Sequence, residues 1–149
     1  MDFLVEFFSN KIMIATLISW FIAQFLKFII VFATENKVDF HRIVGSGGMP
    51  SSHSSSVATL ATCVGRVTGW GSVEFVICFV FAVIVMYDAS GVRRAAGQHA
   101  AVLNKLIDSW ARHSDEFDNI ELKELLGHTP LQVVLGGLLG IVVGLFARL

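Results

Sequence analysis

The chain has 149 residues, of which 54% are hydrophobic and 15% charged, with Lys+Arg 11 against Asp+Glu 12. A soluble domain carries roughly 25% charged residues, a nucleic-acid binder shows a net positive domain, and disorder needs low hydrophobicity with high charge; the composition fits none of these. Cys63 and Cys78 lie in apolar stretches without a CxxC spacing, so they form neither a zinc pattern nor a disulfide framework.

In chain order, the segment 1–11 carries Asp2, Glu6 and Lys11 and lacks both a basic n-region and a small-residue cleavage site. It does not read as a cleaved signal peptide. Residues 12–33 form the first expected span, with Lys27 as its one charge. At about 1.5 Å per residue they reach roughly 33 Å, enough to cross a hydrocarbon core of about 30 Å. A polar segment follows over 35–53. Residues 54–69 are rich in Ser, Ala and Thr, with Val57, Leu60, Ala61 and Val64 at helical spacing. Alone this is a poor span; among Phe-rich helices its small residues make a good central helix. Residues 70–87 form a clear span with Glu74 as the one charge, near an end.

The second polar segment covers 88–128. Within it, 93–110 places His99, Leu103, Leu106 and Trp110 on one face of an amphipathic helix, and Leu103 and Leu106 are expected to bury against the membrane helices. A charged turn over 109–119 follows, then a short helix with Leu122, Leu125 and Leu126, stopped at Gly127. The last span, 131–147, has no charge. Thr129-Pro130-Leu131-Gln132 marks its start: an N-cap Thr, Pro at the first helical position and Gln three residues after the cap. Gly136, Gly140 and Gly144 recur every four residues, a stripe that lets another helix approach closely. That neighbour is either a helix of the same chain or a second copy in a homodimer.

The expected fold is therefore all-α: one integral membrane helical bundle over 1–149, with about four transmembrane helices plus a cytoplasmic amphipathic helix. Four spans put both polar segments on one side. These hold Lys37, Arg42, Arg93, Arg94, Lys105, Arg112 and Lys123, against Lys11, Arg66 and Arg148 on the other side. Seven against three points to motif loops in the cytoplasm, and the expected location is a bacterial inner (cell) membrane.

Reactive side chains concentrate in three groups. The first is Gly45-Ser46-Gly47-Gly48-Met49-Pro50-Ser51-Ser52-His53-Ser54. Glycines admit close backbone approach, and a helix opening near Pro50 offers free N–H groups to an anion. Gly48, Ser51 and Ser52 are the candidate donors; the plain alternative is a Gly/Ser turn that caps a helix. The second group is Asp88-Ala89-Ser90-Gly91-Val92-Arg93-Arg94, followed by His99. Guanidinium forks match phosphate oxygens, although paired arginines also serve as anchors at the cytoplasmic end of a span. The third is Leu125-Leu126-Gly127-His128-Thr129-Pro130, where His128 falls between a helix stop and a helix start and is either an ordinary loop histidine or a partner of His53. Lys27 either snorkels to the surface or points at the site. Together these residues suit phosphoryl transfer from a lipid. Such a reaction holds negative charge, aligns a nucleophile and protonates the leaving alkoxide. Histidine can be nucleophile or acid. Clustered carboxylates for Mg²⁺ are missing from the pattern, since Asp88 stands alone, so the expected chemistry uses no metal and no cofactor. The expected partners are a lipid phosphate substrate and membrane lipids, with no nucleic acid.

The strings GGMPSSHS, VMYDASGVRRAAGQHAAVLN and LKELLGHTPLQVVLGGLLG resemble the divergent PAP2 family, related to acid phosphatases and vanadium-dependent haloperoxidases. The likeness runs from about Lys27 to Gly144. The wider superfamily carries a Lys-…-Arg-Pro element, a Pro-Ser-Gly-His element and a Ser-Arg-x5-His-x3-Asp element. The resemblance implies that Pro50-Ser51-Ser52-His53 is the second, with Ser52 in place of Gly and His53 as general acid. It implies Arg93 as a phosphate clamp and His99, at the Arg-x5-His spacing, as the nucleophile, with Lys27 as the first element's lysine. This chain departs from the pattern in three places. No Arg-Pro follows Lys27 at the usual interval, Arg42 being the nearest substitute. Ser90 does not directly precede Arg93. Leu103 stands where the Asp after His99 belongs, with Asp88 or Asn104 as substitutes. These departures leave His128 open as the second histidine. The function this implies is hydrolysis of a lipid phosphomonoester or diphosphate by histidine and arginine chemistry. The alternative is a catalytically silent membrane protein that keeps the anion pocket for lipid binding or assembly.

Overall fold

The structure is a computed structural model and describes residues 2–35, 48–111 and 127–149. Arg42 and the short helix expected at Leu122, Leu125 and Leu126 lie outside the described residues, as does the turn expected over 109–119 from residue 112 on. The described residues form α1 (Asp2–Phe8), α2 (Lys11–Glu35), α3 (Ser52–Thr68), α4 (Val73–Ser90), α5 (Val92–Ala111) and α6 (Pro130–Phe146), with no strand among them. This is the all-helical class read from the sequence. Helix α1, which that reading did not anticipate, precedes the first span.

Local chemistry sets the helix ends. The Ser51 side chain accepts from Ser54 N–H at the start of α3, and Ser72 accepts from Phe75 N–H at the start of α4. Gly69, at φ 94°, ends α3 in a conformation that side chains avoid. Four residues, 69–72, then turn the chain straight into α4. Helix α6 opens as its sequence predicts: Thr129 caps it, Pro130 follows, and Thr129 and Gln132 close a reciprocal capping box.

Helix α3 is less apolar than α2, α4 and α6, yet it is the central one, packed against all three. Its small hydroxyl residues explain why. Thr59 and Thr62 donate to the carbonyls of Ser55 and Ala58 one turn back, so neither hydroxyl is left unmet. Ser19 of α2 and Ser55 of α3 share a hydrogen bond of 2.6 Å, and Thr59 also donates to the Gly140 carbonyl of α6 at 3.0 Å. The glycine stripe of α6 lies against this face. A Cβ at Gly136 would run into the Ser51 carbonyl, one at Gly140 into the Ser55 carbonyl, and one at Gly144 would come 2.7 Å from Thr62 Cβ. The stripe thus seats α3 of the same chain. At the far end, Arg66 Nη1 of α3 donates to the carbonyls of Gly144 and Ala147, at 2.6 and 2.8 Å, closing the C-terminus of α6.

Buried positions are small and often polar, and the exposed ones are large and apolar. Ser19, Ser51, Ser54, Ser55 and Thr59 are fully buried, while Ile77 is 62% and Phe81 51% exposed on α4. Water penalises so large an apolar surface; lipid does not, and close helix contact through small residues is how bundles hold together there. Among the described residues, two stretches, Lys11–Ala33 and Val73–Ile107, are long and apolar enough to cross a membrane, and Pro130–Phe146 is apolar but shorter.

Helix α5 departs from expectation. Its apolar residues do not bury against the bundle: Val102, Leu103 and Leu106 are 58%, 47% and 49% exposed. Gly91 separates α4 from α5 by a single residue, so α5 carries on from the end of α4 and, among the described helices, packs against α4 alone. A period of 3.6 shows that a helix has an apolar face, but not what the face meets.

Candidate functional site

One end of the bundle gathers the C-terminal parts of α2 and α4 and the N-termini of α3 and α6. Two backbone bonds tie it together. Ser51 N–H donates to the Gln132 carbonyl at 3.0 Å, joining the start of α3 to α6, and His128 N–H donates to the Ala89 carbonyl at 3.1 Å, joining the loop before α6 to the last turn of α4. Asp88, half-buried, directly precedes Ala89.

Lys27 points inward. It is 4% exposed, and its aliphatic stem lies along Gly48, where a Cβ would come 2.7 Å from Lys27 Cε. Gly48 has φ 88° and leads into the cis Met49–Pro50 peptide, so position 48 needs glycine both for its backbone conformation and for the lysine stem beside it. Of the two orientations that the sequence left open for Lys27, the structure has the inward one. A cation this deep in a span is costly unless it serves a site.

His53 stands in the first turn of α3 and is exposed; His128 is 6% exposed. Their rings lie 6.4 Å apart between centroids, tilted by 59°. One tetrahedral anion can touch both. Burial is the largest influence on His128 and lowers its pKa from the usual imidazole value; the nearby His53 and Lys27 push it the same way. Hydrogen bonds to the Gln132 side chain and the Gly48 backbone oppose that shift without reversing it. The ring is therefore held toward its neutral form. Ser51, fully buried, caps α3 and also accepts from Ser54 Oγ at 3.0 Å, so it builds the start of α3, with the buried Ser52 next to it.

The structure thus brings together Lys27, Gly48, Ser51, Ser52, His53 and His128, with Asp88 on the adjoining turn. It does not bring His99 to them by any recorded contact: His99 is exposed on α5. Arg94 is half-buried near the start of α5. The Arg93 side chain and Arg42 lie outside the described parts. Sequence reasoning read Gln132 as a helix cap and missed that its amide oxygen also meets His128 Nδ1, at 3.2 Å. The available signal was spacing: His128 and Gln132 are four apart, the interval of the wider superfamily's His-x3-Asp element.

The profile of the divergent PAP2 family matches residues 8–143. The membrane protein YuiD of Bacillus subtilis (strain 168) is 40% identical over 151 residues, covering 95% of this chain and 96% of that one. No solved structure matches the chain. The family match spans all three motif strings, the whole of α2 to α5 and α6 as far as residue 143, including every residue gathered around His53 and His128. On that extent and identity, the chain is a membrane protein and belongs to the divergent PAP2 family.

Proposed function

We propose that the chain is a membrane-embedded lipid phosphatase in which His53 and His128 carry the reaction and Lys27 holds phosphate charge. The observation behind this reading is the convergence of those three side chains, from three separate parts of the chain, at one end of the bundle. A neutral imidazole has the lone pair that a nucleophile needs, and the buried His128 is held in that form. In the first step a ring nitrogen of His128 bonds to phosphorus while the bond from phosphorus to the lipid oxygen breaks. His53, open to solvent, gives that oxygen its proton. Water then attacks the phosphoryl group, the phosphorus–nitrogen bond breaks, His53 takes the water's proton, and inorganic phosphate leaves. The free N–H groups at the start of α3 and the Lys27 ammonium favour the added negative charge of the transition state. Arg42, Arg93 and Arg94 are the further phosphate ligands in this scheme, and Asp88 supports the His128 loop. The lipid tails stay in the bilayer beside the apolar helices.

The test is phosphate release by purified protein from phosphatidic acid, phosphatidylglycerophosphate and a polyprenyl diphosphate. Release from at least one, absent in His53→Ala, supports the reading. Retained binding of these lipids without release replaces it with an anion pocket that does not turn over. Because the scheme routes no step through a metal, EDTA is expected to leave release intact. Vanadate, which adopts the five-coordinate shape of the transition state, is expected to inhibit. Loss of activity with EDTA and recovery with Mg²⁺ would overturn the metal-free scheme.

On the Lys/Arg distribution, this end of the bundle is expected in the cytoplasm. A cysteine at Ser114 is expected to resist membrane-impermeant thiol reagents in intact cells, read against the background of Cys63 and Cys78. Ready labelling there moves the site to the outer face.

A further inference from the structure

We propose that Gln132 is the positioning residue for His128, its amide oxygen holding the imidazole proton on Nδ1 so that Nε2 keeps the lone pair. The argument starts from what a glutamine amide can do. One end only accepts hydrogen bonds and the other only donates. Thr129 N–H donates to Gln132 Oε1 at 3.0 Å, so the end turned toward the loop is the oxygen. That same oxygen lies 3.2 Å from His128 Nδ1. An amide oxygen has no proton to give, so this bond forms only when Nδ1 carries one.

The oxygen is also well anchored. Gln132 N–H donates to Thr129 Oγ1 at 3.4 Å, and the Gln132 carbonyl accepts from Ser51 N–H at 3.0 Å. One residue therefore closes the start of α6, docks the start of α3 next to His53, and addresses the His128 ring. The neutral ring has one proton, and Gln132 Oε1 is the acceptor set against Nδ1. Where that proton sits decides which nitrogen can act as base or nucleophile. Among the described residues, the charged and titratable groups that act on the ring are Lys27 from α2 and His53 from α3. From α4 comes the Ala89 carbonyl that holds His128 N–H, with Asp88 just before it.

Proton placement on His128 holds whether or not the chain is a phosphatase; its effect on turnover rests on the proposed reaction. The test uses the full chain labelled with ¹⁵N-histidine in detergent micelles, with the His128 signals assigned by their loss in His128→Ala. Above its titration midpoint, His128 is expected to show a protonated Nδ1 and a bare Nε2. Gln132→Glu keeps an acceptor and the capping box. It is expected to keep the tautomer and raise the midpoint by about one pH unit or more, as a carboxylate beside an imidazole does. Gln132→Leu removes the acceptor, and the proton is expected to move to Nε2 or divide between the two nitrogens. In a preparation that releases phosphate, Gln132→Leu is expected to lose about 10- to 100-fold in turnover while Gln132→Glu does not. A wild-type His128 protonated on Nε2, or a Gln132→Glu variant whose midpoint and tautomer are unchanged, would overturn the assignment. These two measurements decide it even if Gln132→Leu does not fold. Absence of phosphate release with the expected spectrum would sink the phosphatase reading and leave the role of Gln132 standing.

Discussion

His128→Ala is expected to lower phosphate release by roughly 10³-fold, within the range that a positioned acid, base or nucleophile supplies, while His99→Gln stays within about threefold of wild type. The contrast follows from where the two histidines sit. His128 is 6% exposed, its ring is 6.4 Å from that of His53, and Lys27 and His53 both act on its charge. His99 is exposed on a helix that, among the described helices, packs against α4 alone. His53→Ala is expected to cost a similar factor. The double variant His53→Ala with His128→Ala is expected to be little worse than either single one, because groups that act as a unit are strongly non-additive. Activity is also expected to fall on acidification, since protonating His128 removes its lone pair. The acid limb should lie below the usual imidazole pKa, in the direction that burial, His53 and Lys27 push the group. The measurement is turnover on the lipid that wild type hydrolyses best, across pH. A dead His99→Gln beside an active His128→Ala would return the nucleophile to the Arg-x5-His spacing.

Gly140→Ala is expected to destabilise the protein by about 1–3 kcal/mol, the usual cost of forcing extra atoms into a packed core, and Gly140→Val is expected to give no folded protein. The added Cβ would meet the Ser55 carbonyl and lie 2.8 Å from Ala58 Cβ. A backbone carbonyl has no rotamer into which it can retreat, so α3 and α6 must move apart. The Thr59 bond to the Gly140 carbonyl is then strained or lost. Gly137 is the control. A Cβ there would meet the end of the Met86 side chain at 2.9 Å, and a flexible thioether can swing aside. Gly137→Ala is expected to change stability by less than about 1 kcal/mol. Thermal unfolding in detergent reads both variants; for a chain of this size about 1 kcal/mol corresponds to roughly 2–4 °C. Equal losses at the two glycines would show that the stripe is not seated on α3 as described. Gly136→Ala combines packing with chemistry, because its Cβ would press on Ser51, whose N–H ties α3 to Gln132.

What the sequence alone determined is what depends on near neighbours in the chain. Hydropathy over some twenty residues and one or two charges located α2 and α4. Thr129, Pro130 and Gln132 located the start of α6 to the residue, since a capping box closes within four residues. Small-residue content marked α3 as central, and a four-residue repeat marked Gly136, Gly140 and Gly144 as a contact face. The motif strings were specific enough to indicate the family. Tertiary structure decided the questions that turn on which surfaces meet. Lys27 faces inward because Gly48, far along the chain, lies against its stem. The glycine face is filled by α3 of the same chain. His128 pairs with His53 because α3 and α6 start at the same end of the bundle, where Ser51 is tied to Gln132 and His128 to Ala89. The Arg-x5-His spacing favoured His99 because a spacing describes one helix by itself. A site built from α2, α3 and the loop before α6 is set by packing between helices, which periodicity along any one of them does not encode.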